Sequence, residues 1–188
     1  MNNFFNFLIC SERSGSNLIT KIMDAHSKYC GPSPVHLLRS IAPNLTAIYN
    51  AGDDGNWSKF VNTVHGLLAN KVGYWASSLD KGELLDINPK KFENLIEYIY
   101  KKECAINNKK YVFIKENHTY NLVPYILQKW PDSKFLFFVR DPRDVALSWI
   151  NAIALRGGTI RAATTWQKDQ MNGINLLKTL GKNTIKLL

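Results

Sequence analysis

Two short segments of the chain carry residues able to hold an anion. The first is Ser11-Glu12-Arg13-Ser14-Gly15-Ser16-Asn17, directly after the apolar run Phe4–Cys10. Arg13 supplies a planar charged fork, and Ser14, Ser16 and Asn17 supply side-chain donors. Gly15 lets the backbone come close to a ligand. A helix opening here would aim unsatisfied N–H groups and a positive dipole end at phosphate or sulfate. The second segment is Arg140-Asp141-Pro142-Arg143-Asp144-Val145, with Ser148 eight residues after Arg140. Asp141-Pro142 reads as a helix cap followed by a first-turn proline. Arg140 then ends a strand, and Ser148 lies two turns into a helix, where serine gains nothing in propensity. One anionic group held between Arg140 and Ser148 explains both residues. Arg143 and Asp144 read as first-turn surface charges.

The first loop is not a Walker loop, because GxxxxGK[ST] is absent, and it lacks the GxGxxG of a dinucleotide site. A cysteine phosphatase would need an arginine six positions after Cys10, and that position is Ser16.

The elements that must position these residues follow from periodicity. Phe4–Cys10, Tyr111–Ile114 and Lys134–Val139 read as strands, and Ile185–Leu188 as the start of another. Helical spacing marks Leu18–His26, His36–Ile41, Trp57–Asn70, Tyr120–Lys129, the segment from Pro142 to about Asn151, and Ile160–Leu180. Asn88-Pro89 predicts a cap and first-turn proline for a helix carrying Phe92, Leu95, Ile96 and Ile99. Alternating strands and helices of these lengths predict a single α/β domain with a central parallel sheet flanked by helices. In such a sheet, ligands sit beyond the carboxyl ends of the strands, where both segments fall.

Composition bounds the reading. The chain has 188 residues, 45% hydrophobic and 21% charged, with a net charge of +9. Those values exclude disordered and collagen-like architectures. Cys10, Cys30 and Cys104 form no CxxC pair, which excludes a disulfide framework and a cysteine zinc site and fits a reducing compartment. No apolar run is long enough to span a membrane, and Phe4–Cys10 is too short for a signal peptide. A cytoplasmic protein is expected. Residues 1–94 carry nine Lys/Arg against eight Asp/Glu, and residues 95–188 fifteen against seven. The excess charge is thus in the half that holds Arg140, and most of its lysines read as solvated surface, so no nucleic-acid partner is expected.

With both segments in place, the sequence resembles the sulfotransferases that use 3′-phosphoadenosine 5′-phosphosulfate (PAPS). In that family the loop after the first strand has the form (Lys/Arg)-Ser-Gly-(Ser/Thr), here Arg13-Ser14-Gly15-Ser16. A later strand ends in Arg-(Asp/Asn)-Pro-(Arg/Lys)-Asp-Val, with a serine eight residues after the arginine, here Arg140 to Val145 and Ser148. The resemblance implies a P-loop-NTPase-like sulfotransferase fold and PAPS as sulfuryl donor, with no metal. It implies that Arg13, Ser14, Gly15, Ser16 and Asn17 bind the 5′-phosphosulfate, and Arg140 and Ser148 the 3′-phosphate. The implied activity is sulfuryl transfer to a hydroxyl or amine. The alternatives are an incomplete relative that binds the nucleotide without turnover and another nucleotide-phosphate transferase.

Sulfuryl transfer needs cations where charge develops and a base for the acceptor proton. Arg13 matches the family's catalytic Lys/Arg position, and Lys115 is a further contact. His118, in Lys115-Glu116-Asn117-His118, lies 22 residues before Arg140, similar to the catalytic histidine of the family's cytosolic branch. That branch has Lys-x-His and this chain has Lys-x-x-His. Other branches place a glutamate after the first helix, where this chain has His36. His118, His36 and Glu116 are therefore the candidate bases, and His26 and His65 read as structural. The branch that stacks adenine on a tryptophan after the loop has Leu18 in its place here. Trp149 and Trp166 could stack on a base but read first as packing residues. The loop type looks more like the branch acting on glycans, proteins or bacterial metabolites. The acceptor itself, whether small molecule, glycan or protein, is not specified, and neither is the oligomeric state. Its contacts are expected between Arg39 and Lys110, with Tyr49, Trp57, Phe60, Tyr74 and Trp75. Family members continue past a strand such as Ile185–Leu188, so residues 1–188 are expected to be most of a sulfotransferase domain, without its C-terminal part.

Overall fold

Strand β1, Phe5–Cys10, is buried on both faces, as expected of a central strand in a parallel sheet. A computed structural model describes residues 3–45, 54–70, 73–152 and 157–188. Its strands are β1, β2 (Tyr29–Cys30), β3 (Tyr111–Lys115), β4 (Lys134–Phe138) and β5 (Ile185–Leu187), in the spatial order β2-β3-β1-β4-β5. Every pairing is parallel. The chain passes from β1 to the edge strand β2, returns to place β3 between them, then crosses to β4 and β5 on the other side of β1. Strand order therefore reverses at β1, and a crevice opens beyond its carboxyl end. Register brings Leu8 beside Lys115 and Cys10 beside Phe138, so the loops after β1, β3 and β4 leave the sheet at one edge.

The helices are α1 (Ser16–Ala25), α2 (Leu37–Ile41), α3 (Asp54–Ala69), α4 (Lys81–Leu85), α5 (Phe92–Ile106), α6 (Val123–Lys129), α7 (Pro142–Ile150) and α8 (Gly158–Thr179). Short 3-10 turns cover Ala42–Asn44 and Thr119–Asn121. One core joins Phe5, Phe7, Ile9, Phe135 and Phe137 of the sheet to Trp57, Phe60 and Val64 of α3 and Leu95, Ile96 and Ile99 of α5. α8 lies close on β4, because a Cβ at Gly173 would meet the Phe137 ring at 2.2 Å. Among the described residues, no helix is long and apolar enough to cross a membrane.

Three local expectations shift. The helix predicted from Pro89 begins at Phe92, with Lys91 as its cap. Asn88-Pro89 is a cis peptide, and the Pro89 carbonyl accepts from Lys91 N and Asn94 Nδ2, which makes the Asn-Pro pair a turn ahead of the helix. The segment Tyr120–Lys129 divides into a 3-10 turn and α6, which has Pro124 in its first turn. α1 opens at Ser16, two residues early, because left-handed Gly15 turns the chain and its carbonyl accepts from Leu18 N and Ile19 N.

Candidate active site

The loop between β1 and α1 is held from below. Ser11 is buried; its carbonyl accepts from Ser14 N at 3.3 Å, and its hydroxyl accepts from Gln170 Nε2 of α8 at 2.9 Å. Gly15 has φ +89, with only the Phe138 ring near its absent Cβ, at 4.0 Å. Backbone angle, not lack of room, is what calls for glycine there. α1 has no side-chain cap and no acidic residue in its first turn. Its positive end and first N–H groups are left for something else to satisfy. Ser14 is 1% exposed, and its hydroxyl has no hydrogen-bond partner. An unsatisfied buried hydroxyl costs about 1–3 kcal/mol, so a ligand oxygen there would be favourable.

Cations converge on this loop from three strands' ends. Arg13 donates from Nε to Ser148 Oγ of α7 at 3.0 Å, and Arg140 Nη1 donates to the Arg13 carbonyl at 3.1 Å. Lys115, ending β3, donates to Asn17 Oδ1 at 3.2 Å. Asn117 donates to Glu12 Oε1 at 2.9 Å. These residues line one cleft of about 430 Å³, together with Gly15, Ser16 and Ala152. So Arg13, Gly15, Ser16, Asn17, Lys115, Arg140 and Ser148 share a wall, with Ser14 buried beneath it. Arg140 also lies 3.7 Å from Asp144 Oδ2. Arg143, 89% exposed, turns instead to Asp141, whose carboxyl it holds down to about 2, first by its side-chain hydrogen bond. Trp149 is core, and Trp166 donates to the Arg140 carbonyl at 3.1 Å. Both tryptophans support the site rather than face it.

The candidate bases separate into two clusters. His36 Nδ1 lies 3.2 Å from Glu116 Oε2, and Glu116, 1% exposed, also accepts from Leu38 N at 3.2 Å. A carboxylate only accepts, so Nδ1 of a neutral His36 carries the proton and Nε2 is left with the lone pair. His36 lines a second pocket, of about 510 Å³, against α3. His118 turns the other way: Nδ1 is 3.1 Å from Tyr120 Oη, which donates to Asp169 Oδ1 of α8 at 2.8 Å. Burial, then that bond to Asp169, pushes the Tyr120 hydroxyl above its ordinary value. Asn117 and Lys115, not His118, line the cleft. Thr119 pins the turn by donating to the Leu8 and Glu116 carbonyls, at 2.8 Å each. Arg13, His36 and His118 all have left-handed backbone, at φ 65, 58 and 56. That conformation is strained for such side chains, and strain of this kind gathers at functional sites.

Asp169, Gln170, Tyr120, Asn117 and Glu12 escaped the reading of the sequence. Asp169 and Gln170 are adjacent buried polar residues in a helix, a signal that needs burial to be seen. Of the aromatics expected at an acceptor, Trp57, Phe60 and Trp75 are core; Tyr74 is 80% exposed and Tyr49 lies outside the described residues. Burial pushes the thiol of the half-buried Cys10 up to about 11, away from the thiolate. No cluster placed to hold a metal ion occurs among the described residues.

Comparison with known proteins gives a consistent result. The model described as "Sulfotransferase family" matches residues 7–186. Among solved structures, the sulfotransferase domain from the curacin biosynthetic pathway superposes with a TM-score of 0.57 at 21% identity, covering 98% of this chain and 66% of that one. The sulfotransferase domain from the Synechococcus PCC 7002 olefin synthase gives 0.60 at 16% identity, covering 98% and 65%. At such identities the likeness is one of fold, and this chain spans just under two thirds of each domain's length. No curated protein matches significantly.

Proposed function

The chain belongs to the sulfotransferase family, and on that premise we propose that it transfers a sulfuryl group from PAPS to a hydroxyl or amine acceptor. The observation that carries this reading is the closure of two anion-binding elements into one cleft: Arg13 bonds Ser148, and Arg140 bonds the Arg13 carbonyl. The residues fit an anionic nucleotide. The unpartnered Ser14 hydroxyl, the uncapped start of α1 and the cations Arg13, Lys115 and Arg140 meet in one place. Residues Arg13 to Asn17 would hold the 5′-phosphosulfate, and Arg140 and Ser148 the 3′-phosphate.

When bound, PAPS would supply a sulfuryl group whose S–O bond to the 5′-phosphate breaks as a bond forms from sulfur to the acceptor, S–O for a hydroxyl or S–N for an amine. Arg13 and Lys115 supply positive charge where the leaving phosphate gains negative charge. His36 takes the acceptor proton on Nε2, and Glu116 holds the ring by Nδ1 and stabilises the imidazolium that results. The segment Lys115-Glu116 supports this assignment, since its lysine lines the donor cleft while its glutamate grips His36. His118, turned toward Tyr120 and Asp169, is the alternative base.

A second reading, nucleotide binding without turnover, draws on the Arg13–Ser148 bond, which engages the proposed catalytic guanidinium. The experiment that separates them has two stages. Calorimetry with adenosine 3′,5′-bisphosphate tests the cleft, and absence of binding to a folded sample overturns both readings. Label transfer from PAPS over a broad acceptor panel then distinguishes catalysis from binding alone.

A further inference from the structure

The pocket beside His36 has a chemistry that narrows the acceptor. Its α3 wall is made by Thr63, Gly66, Leu67 and Asn70. That spacing places all four on one helix face, while Trp57, Phe60, Val61, Val64 and Leu68 are buried in the core. Pro34, Val35 and His36 complete the described lining. Among the described residues, His36 is the lining residue with an ionisable side chain. Thr63 Oγ1 and Asn70 Nδ2 are spent on the α3 carbonyls of Lys59 and Gly66. His36 Nε2 is thus the group best placed to receive a proton from a pocket ligand. A volume of about 510 Å³ suits a small organic molecule.

Gly66 is the unexpected member. It lies inside α3, where glycine weakens a helix relative to alanine. Its backbone has no left-handed angle, and a Cβ built on it meets nothing within 4 Å. Neither conformation nor close packing asks for glycine there. Its consequence is open space in the pocket that His36 also lines.

We propose that this pocket is the acceptor site, that it takes an uncharged, largely apolar hydroxyl compound, and that Gly66 sets its width. The proposal rests on the sulfotransferase reading given above. Among the described lining residues there is no lysine, arginine, aspartate or glutamate, which disfavours sugar phosphates, sulfated glycans and protonated amines, whose charges would lie unpaired there. The acceptor hydroxyl points at His36 Nε2, its proton moves there, and the oxygen forms the new S–O bond as the bond to the 5′-phosphate breaks.

The test uses 2-naphthol as probe, 2-naphthoate as its charged counterpart, and the full chain as wild type and Gly66→Leu. Binding is followed by amide chemical shifts with and without adenosine 3′,5′-bisphosphate. The wild type is expected to bind 2-naphthol with shifts centred on Thr63, Gly66 and Leu67, and about tenfold more tightly than 2-naphthoate. Gly66→Leu should weaken 2-naphthol about tenfold or more while leaving the nucleotide affinity unchanged. Gly66→Ala, the milder variant, guards against misfolding and should give an intermediate loss. Equal binding of the two probes, shifts elsewhere, no saturable binding to the wild type, or no effect of either variant overturns the proposal. Loss of nucleotide binding in the wild type overturns the sulfotransferase reading instead, because the pocket measurement stands without nucleotide.

Discussion

Arg13 Nε and Ser148 Oγ are 3.0 Å apart although 135 residues separate them in the chain. The bond exists because β4 runs beside β1, so that the helix after one strand stands over the loop after the other. Arg140 completes the link by donating to the Arg13 carbonyl. A ligand entering this cleft would meet both residues at once, so changes at either should be read first in nucleotide affinity.

Arg140→Ala should weaken adenosine 3′,5′-bisphosphate by about tenfold or more, the scale of a lost charge-assisted hydrogen bond. Ser148→Ala should have a smaller effect. Neither residue belongs to the core, so thermal unfolding should barely move. Calorimetric titration of the three proteins decides it, and equal affinities would contradict the assignment of the 3′-phosphate.

Glu116→Ala should destabilise the fold by about 1–3 kcal/mol, because the Leu38 N–H loses its buried acceptor. Glu116→Gln keeps an acceptor oxygen and should recover most of that loss in urea unfolding. If Glu116 orients His36, turnover in Glu116→Gln should still fall by about a hundredfold, and its pH profile should change. A purely structural role would restore turnover along with stability.

Gly173→Ala and Gly66→Ala should move stability in opposite directions. A methyl at position 173 meets the buried Phe137 ring at 2.2 Å, and overpacking of that kind costs about 1–3 kcal/mol. A methyl at position 66 meets nothing within 4 Å and should add about 0.5–1 kcal/mol by the ordinary preference of helices for alanine. Urea midpoints of the two variants against the wild type read both effects.

Asp141 should contribute a small, salt-sensitive stabilisation with a defined pH window. Arg143 holds the Asp141 carboxyl at about 2, below its ordinary 3.8, so the contribution is present above pH 3.8 and lost as the pH falls through about 2. Asp141→Asn keeps a good helix cap. The stability difference between wild type and variant should therefore appear at neutral pH in low salt, shrink with added salt, and vanish near pH 2.

Cys10 should alkylate slowly at neutral pH. Burial raises its thiol from 9.0 to about 11, so the thiolate is scarce until the pH approaches that value. Iodoacetamide labelling followed by peptide mass mapping should show modification of Cys10 rising across that range. Rapid labelling at pH 7 would contradict it.

The strand–loop–helix at residues 5–25 and the strand–helix at 134–150 were legible in the sequence because their signals are local. An apolar run, an arginine, a glycine and a group of hydroxyls describe a strand, a turn and a helix start within a dozen neighbouring positions. Asp141-Pro142 predicts α7 for the same reason: the Asp141 side chain caps that helix by accepting from Arg143 N at 2.8 Å. Where a local rule misled, as at Asn88-Pro89, the competing partner was still local, with Pro89 in a turn bonded to Lys91 and Asn94.

By itself, the sequence determined the parallel α/β sheet and the place of the Arg13 loop and the Arg140 segment at the strand ends. Hydrophobic period, capping and glycine freedom act between near neighbours in the chain. Only the tertiary structure decided that His36 lines a pocket together with Gly66, and that Glu116 holds His36 while Tyr120 and Asp169 hold His118. Those relationships span 80 residues between His36 and Glu116 and 49 between Tyr120 and Asp169. They arise from the order in which strands assemble and from burial that limits a polar side chain to the partners packed around it, and neither is written in any local run of residues.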